Sequence, residues 1–426
     1  MAGETPTETE AEADVTPESE PGPGPGPGPE PEAAVASRRA RWTLLAGAVV
    51  VSTALGAYEI VPASVTPLLR SSLGVGGAEA GLIVGVMFGT AVVASLPVGV
   101  VLDRTNSRHA VAAAIGLLLV AGVWGWQAAR AGAYRSLLGS RVLGGFAYVV
   151  VWNAGIDIVG RSFGPRRRGT AVATFTASGP VGFAVGQATG PLVAGAFGWP
   201  AIFPAYTGAA VVGLAVFWPA SRGSGRAAAT TTPGAAELAS VLGDRRVWTV
   251  GALGFIGYAL YLFVNSWVPA YLTDELGLPL ALGGTVAALF PAVGVLARAG
   301  GGVLSDVLFD GRRRPVVLLS FAVGAPVVGG FTLLRAVPLI VGALVVAGVA
   351  VQLCLGLVFA YVRELVEPAV AATAVAVLTS VGLAGAFLAP IVAGSLIAAV
   401  GYPATFGLSG ALGAVGVLLA WVAPEP

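Results

Sequence analysis

The chain has 426 residues, of which 56% are apolar and 11% charged, with a formal net charge of +1 and a mean hydropathy of +0.85. A soluble domain usually carries roughly 25–35% charged residues on its surface, so this composition excludes one. The single cysteine, Cys354, excludes an internal disulfide and a cysteine-rich metal site, and the single histidine, His109, cannot build a metal centre or a catalytic dyad. No GxxxxGK[ST] phosphate loop is present, so ATP is not expected to drive the protein. No cofactor, no enzymatic activity and no nucleic-acid partner are expected.

Residues 1–37 hold nine acids and no base and end in a Pro-Gly alternation from Pro21 to Pro29. They lack the apolar material to pack, which predicts a solvated, disordered tail. They also lack the charged-then-apolar pattern of a cleaved signal. From Trp42 onward twelve apolar runs follow, near 42–64, 78–101, 110–129, 136–160, 169–194, 199–218, 247–271, 280–304, 315–334, 337–360, 369–396 and 402–422. Runs of about 20 residues suit helices that span a bilayer, where every backbone polar group must be satisfied within the element. The 62 glycines fit close packing of such helices. One long polar gap, 219–246, divides the runs into six and six. The expected fold is an all-α membrane protein of twelve transmembrane helices in two pseudo-symmetric six-helix bundles, 38–218 and 247–426, joined by the linker 219–246.

All 23 basic residues are arginine. With the amino terminus inside, 17 of them fall in cytoplasmic segments, against four outside (Arg70, Arg130, Arg135 and Arg335) and two, Arg141 and Arg298, within apolar runs. Basic loops stay on the cytoplasmic side. This bias predicts a multi-pass protein of the inner or plasma membrane with both termini cytoplasmic.

The halves match at a constant offset of 203 residues. Gly99-Val-Val-Leu-Asp103 falls on Gly302-Val-Leu-Ser-Asp306, Pro165 with Gly169-Thr170-Ala171 on Pro368 with Ala372-Thr373-Ala374, and Gly198-Trp-Pro-Ala-Ile-Phe203 on Gly401-Tyr-Pro-Ala-Thr-Phe406. Repeated halves around a midplane site are the architecture of alternating-access carriers.

From Trp42 onward the chain resembles the major facilitator superfamily. Gly99-x-x-x-Asp103-Arg104-x-x-x-Arg108 is similar to that family's motif A, with Asn106 where a second glycine is usual. Its counterpart is Gly302-x-x-x-Asp306 followed by Arg312-Arg313-Arg314. A carboxylate at a helix end facing arginines on a neighbouring loop makes a breakable latch; plain topogenic charge is the simpler alternative. Asp157, one turn before Arg161, is expected to accept from Arg104 or Arg108 in that latch. Arg141-x-x-x-Gly145 resembles motif B, and Gly186-x-x-x-Gly190-Pro191-x-x-x-Gly195 resembles the motif of exchangers and drug antiporters. That stripe lets two helices pack closely and hinge.

An ionisable group inside a bilayer costs at least about 2.5–3.5 kcal/mol on insertion scales, so Glu59, Arg141, Asp157 and Arg298 are functional candidates. Glu59 and Arg141 lie at comparable depth and are expected to pair, the carboxylate exchanging its partner for a proton; a static ion pair is the alternative. Arg298 lies eight positions before Asp306, about 12 Å along the helix at 1.5 Å per residue. It cannot shed its charge and needs an anion. Its placement resembles the eighth-helix arginine of nitrate/nitrite porters, oxalate/formate exchangers and monocarboxylate carriers, which implies that it binds the transported anion. Nitrate porters carry a matching arginine in the second helix, where this chain has Ser95. Neutral groups that would complete a site are Asn153, Gln187, Asn265 and Gln352, with Tyr58, Tyr261, Trp152 and Trp267 shaping it.

The expected function is secondary transport of a small organic or inorganic anion by alternating access, with proton or anion coupling, by a monomer in the bilayer. Two alternatives stand beside it: proton-coupled drug or metabolite efflux, and a membrane sensor that does not transport.

Overall fold

The computed structural model describes residues 38–222 and 234–425; the acidic segment 1–37 and linker residues 223–233 lie outside the described residues. Every regular element among them is helical. The first half contains α1 (Arg38–Ser64), α2 (Gly77–Arg104), α3 (Ser107–Arg130), α4 (Tyr134–Ser162), α5 (Pro165–Phe197) and α6 (Ile202–Ala220). The second contains α7 (Arg245–Asp274), α8 (Leu280–Leu308), α9 (Arg314–Gly329) and α10 (Val337–Glu364). A last stretch, Ala371–Val422, is broken by non-helical backbone at Gly401 into α11 (371–400) and α12 (402–422). Short helices Thr66–Leu73 and Ala235–Gly243 lie in the connections. Among the described residues, nine stretches are long and apolar enough to cross a bilayer, one of them the double-length Ala371–Val422.

Helix ends follow local chemistry. The Asn106 side chain caps α3 by accepting from the Arg108 backbone N–H at 2.9 Å, and Asp244 caps α7 by accepting from the Arg246 N–H at 2.8 Å. Asn106 thus does capping work where the resembled motif has a glycine. Gly198 and Gly401, related by the 203-residue offset, both take a left-handed φ, 83° and 79°. Both mark the reversal between the fifth and sixth helices of their half, a conformation open to glycine at little cost. Where the apolar run 280–304 reads as one helix, α8 is three stacked pieces, Leu280–Ala287, Leu289–Ala292 and Gly294–Leu308. Pro291 supplies the reason, because it has no N–H to bond four residues back.

Glycines set how closely helices approach. A Cβ at Gly182, Gly186 or Gly190 of α5 would strike α1 at Gly56, Ala57 or Ser64 respectively. Gly186 and Gly190 are therefore packing positions, whereas a Cβ at Gly195 would meet open space. The two halves meet mainly away from the arginine-rich end. There Gly77, Gly81, Gly85 and Gly89 of α2 lie against Gly394, Pro390 and Phe387 of α11, and Gly284 of α8 lies against Gln187 and Pro191 of α5.

Candidate functional site

The first buried charge to place is Arg141, fully buried on α4. Its guanidinium donates from Nε to the Ile83 carbonyl at 3.0 Å, from Nη1 to the Tyr58 carbonyl at 2.8 Å and from Nη2 to the Glu59 carbonyl at 2.6 Å. Carbonyls inside a helix are normally occupied. Pro62, four residues after Tyr58 in α1, has no N–H and leaves the Tyr58 carbonyl open to an outside donor. The guanidinium also lies 4.8 Å from the centre of the Tyr58 ring. The expected pairing of Arg141 with the Glu59 carboxylate is replaced by backbone acceptors: no ion pair joins the two side chains among the described residues. Glu59 is buried, and its Oε1 accepts from no group among the described residues.

Proline shapes a second contact in the same way. Pro269 in α7 frees the Asn265 carbonyl. Gln187 of α5 donates its Nε2 to that carbonyl at 3.2 Å and to Asn265 Oδ1 at 2.8 Å, so the two halves are joined by a buried amide pair. Asn265 Nδ2 is held in turn by the Tyr261 carbonyl at 2.8 Å. One turn along, Phe183 and Tyr261 stack across the halves with ring centres 5.5 Å apart.

Arg298 is built differently from Arg141. It is half-buried on α8. Its Nε donates to Gln352 Oε1 at 3.3 Å, and its Cζ lies 5.2 Å from the centre of the Tyr261 ring. Both terminal amino groups are without a hydrogen-bond partner among the described residues. The Gln352 amide is fixed by donation to the carbonyls of Phe290 at 2.9 Å and Gly348 at 3.2 Å, which turns its oxygen toward the guanidinium. Gly294 leaves room for that amide, and Gly356 lets α10 lie against the Arg298 backbone; a Cβ at either would collide. Tyr58 and Tyr261 are related by the 203-residue offset, and each carries an arginine over its ring, Arg141 and Arg298 respectively. The two arginines are not repeat-related.

Two tyrosines absent from the sequence reading belong to this region. Tyr148 of α4 and Tyr258 of α7 lie close enough to Glu59 and Arg298 to feel both charges, as does Tyr261. Spacing offered a signal for both. Tyr258 is one turn from Tyr261, and Tyr148 is one turn from Trp152, on which it stacks at 6.2 Å. Asn153, by contrast, is exposed and forms no hydrogen bond among the described residues. Trp267 is buried and donates to the Pro390 carbonyl at 3.0 Å, which makes it a packing residue of the second half.

At the arginine-rich end the expected latch takes another form. Asp157 pairs with Arg161 of its own helix at 2.5 Å and accepts from Ser107 Oγ at 2.6 Å. Arg108 lies 3.7 Å over the Trp218 ring, and Arg104 is exposed. Asp157 therefore takes a near neighbour one turn away rather than Arg104 or Arg108. The Asp103 side chain lies outside the described residues. In the second half Asp306 pairs with Arg313 at 2.7 Å, not with Arg312, and Arg313 also binds Glu364 at 2.9 Å. Donation to the Glu364 and Asp306 carboxylates holds the Arg313 guanidinium above its ordinary value. Added Cβ atoms at Gly99 and Gly302 would meet open space. None of the four ion pairs among the described residues joins the two halves.

With this geometry in hand, comparisons with known proteins place the chain. Residues 44–334 match the Major Facilitator Superfamily. Over 278 residues the chain is 26% identical to the "Probable L-galactonate transporter" of Escherichia coli (strain K12), covering 58% of each chain. Over 80 residues it is 34% identical to "Nitrate transporter 2.2" of Chlamydomonas reinhardtii, covering 18% of this chain and 16% of that protein. The matches thus span little more than half of the first relative and a sixth of the second. In structure, the chain is similar to a bacterial homologue of the human lysosomal transporter Spinster, in inward-facing occupied and unoccupied forms. The TM-score is 0.78 at 16% identity, over 91% of this chain and 97% of that one. The match to the family runs from α1 through α9, across both six-helix halves, and the chain belongs to the Major Facilitator Superfamily.

Proposed function

We propose that the protein is a secondary active carrier for a small organic or inorganic anion, working by alternating access as a monomer in the inner or plasma membrane, with both termini cytoplasmic. One observation carries the anion assignment. Arg298 sits half-buried between a neutral amide and an aromatic ring, with its terminal amino groups unclaimed among the described residues. A planar guanidinium offers two parallel N–H groups to a carboxylate or oxyanion. The two relatives are named for L-galactonate and nitrate transport; both solutes are anions, which supports the same class. The contacts between halves away from the arginine-rich end fit a carrier closed on that side.

Glu59 supports proton coupling in this reading. It is a buried carboxyl near the same tyrosines as Arg298, with an oxygen free of donors and no ion pair among the described residues, so it can exchange a proton without breaking one. The same residue is what favours the second reading, efflux of a drug or metabolite by proton antiport. Uptake into proteoliposomes separates the two, using a panel of carboxylates, nitrate and cationic dyes. Uptake of one or more anions, lost in Arg298→Ala, is the expected result. Anion uptake left intact by Arg298→Ala, or movement of the dyes alone, would overturn the anion reading.

A further inference from the structure

At the arginine-rich end, the first turn of α1 and the start of α5 enclose a cavity of about 490 Å³ that lies apart from the site between the halves. Its wall carries Arg38, Arg41, Arg166 and Arg167, and its aromatic part is Trp42 and Phe163. Among the described residues no acid lines it, and none of the four arginines pairs with a carboxylate. The two aromatic rings hold each other edge to face, with centres 5.3 Å apart; Phe163 is buried and Trp42 is exposed. Gly164 and Pro165 open the 33-residue helix α5 at the same place, adding the positive end of its dipole.

Arg41 is half-buried and Arg38, Arg166 and Arg167 are exposed; an anion among four like charges relieves their mutual repulsion. Topogenic charge alone needs arginines on this side of the bilayer, not four of them around one cavity. The volume exceeds what a bare phosphate ion needs, since a water molecule occupies about 30 Å³ of liquid. An exposed tryptophan beside arginines at a helix end is also the composition of a bilayer's interfacial belt. We propose that this cavity binds a phosphate-bearing anion, either the headgroup of an anionic phospholipid or a soluble phosphate ester. Guanidinium groups clasp the phosphate oxygens in pairs, and Trp42 with Phe163 covers the carbon skeleton next to it. The site is separate from the transport reading and does not depend on it.

The test uses the purified full-length chain and follows its melting temperature in three additions: dioleoyl phosphatidylglycerol, dioleoyl phosphatidylcholine and glycerol 3-phosphate. The key variant is Arg41→Lys/Arg166→Lys/Arg167→Lys, which keeps topology and net charge but removes the paired N–H geometry. Arg166→Lys alone is the milder version if the triple variant melts early without any addition. Phosphatidylglycerol is expected to raise the melting temperature of the native chain where phosphatidylcholine does not. The lysine variant should need about tenfold more of it for the same rise. A rise with glycerol 3-phosphate and none with phosphatidylglycerol would keep the site and assign it to a soluble ester. Equal rises in native and lysine chains, or no rise with either anion, would overturn the proposal.

Discussion

Arg141 and Arg298 are both arginines inside a membrane helix, yet their surroundings are opposite. Arg141 is fully buried and distributes its N–H groups over three backbone carbonyls from α1 and α2. Arg298 is half-buried, touches one amide oxygen at 3.3 Å and leaves its terminal amino groups open. The first guanidinium has a protein acceptor at each of its three nitrogens and behaves as a clamp that ties α4 to α1 and α2. The second is aimed rather than saturated, because Gln352 is itself fixed by two carbonyls. A charge that protein has already satisfied has little left for a solute. Burial and charge alone, read from the sequence, rate the two residues equally; partner count separates them.

The sharpest way to break this contrast is to remove each arginine in turn. Arg141→Ala leaves the Tyr58 carbonyl, which Pro62 cannot serve, without a donor and Glu59 without a neighbouring cation. Leaving a buried polar group unsatisfied typically costs about 1–3 kcal/mol, so the variant should show a clear loss of folded protein in a thermal-stability assay. If it folds and melts like the native chain, the clamp reading fails. Arg298→Ala should stay folded and lose anion uptake by about a hundredfold.

A smaller effect is expected at Gln352. Gln352→Leu removes the oxygen that orients Arg298 and should raise the KM for the anion by about tenfold, the scale of one hydrogen bond to a charged group. An unchanged KM would mean that the guanidinium is positioned without it. Glu59→Gln should leave anion exchange within about twofold while abolishing the response of uptake to a pH gradient; a native-like gradient response would remove Glu59 from coupling. The smallest effect belongs to the contact between halves. Asn265→Ala deletes one acceptor of Gln187 but spares the carbonyl that Pro269 frees, so uptake should change by no more than about threefold, the scale of one net neutral hydrogen bond.

Much of the fold was legible in the sequence. Hydropathy locates the helices to within a few residues, and the 203-residue offset aligns Gly198 with Gly401, which share a left-handed φ in the structure. The segmented α8 was not anticipated, because a run of apolar residues does not say what Pro291 does to the backbone within it. The site was legible only in part. Arg298, Tyr261 and Gln352 emerged as one group, as did Gln187 with Asn265. Pairing Arg141 with the Glu59 carboxylate followed from opposite charge at similar depth, but it overlooked Pro62, whose missing N–H offers a nearer acceptor at Tyr58. Asp157 was assigned to a neighbouring loop although Arg161 stands four residues away on the same helix, the spacing at which helical side chains meet. Tyr148 and Tyr258 carry no charge, so nothing in the sequence but their spacing marks them as part of the site.

The contrast between the arginines comes down to whether Arg298 holds the solute. The direct measurement is anion binding to the purified protein by calorimetry, made on the native chain, Arg298→Lys and Arg298→Gln, each first shown to melt near the native temperature. The account predicts binding weakened about tenfold or more by lysine, which cannot offer two parallel N–H groups, and abolished by glutamine. Affinity within twofold of native in Arg298→Gln would contradict it.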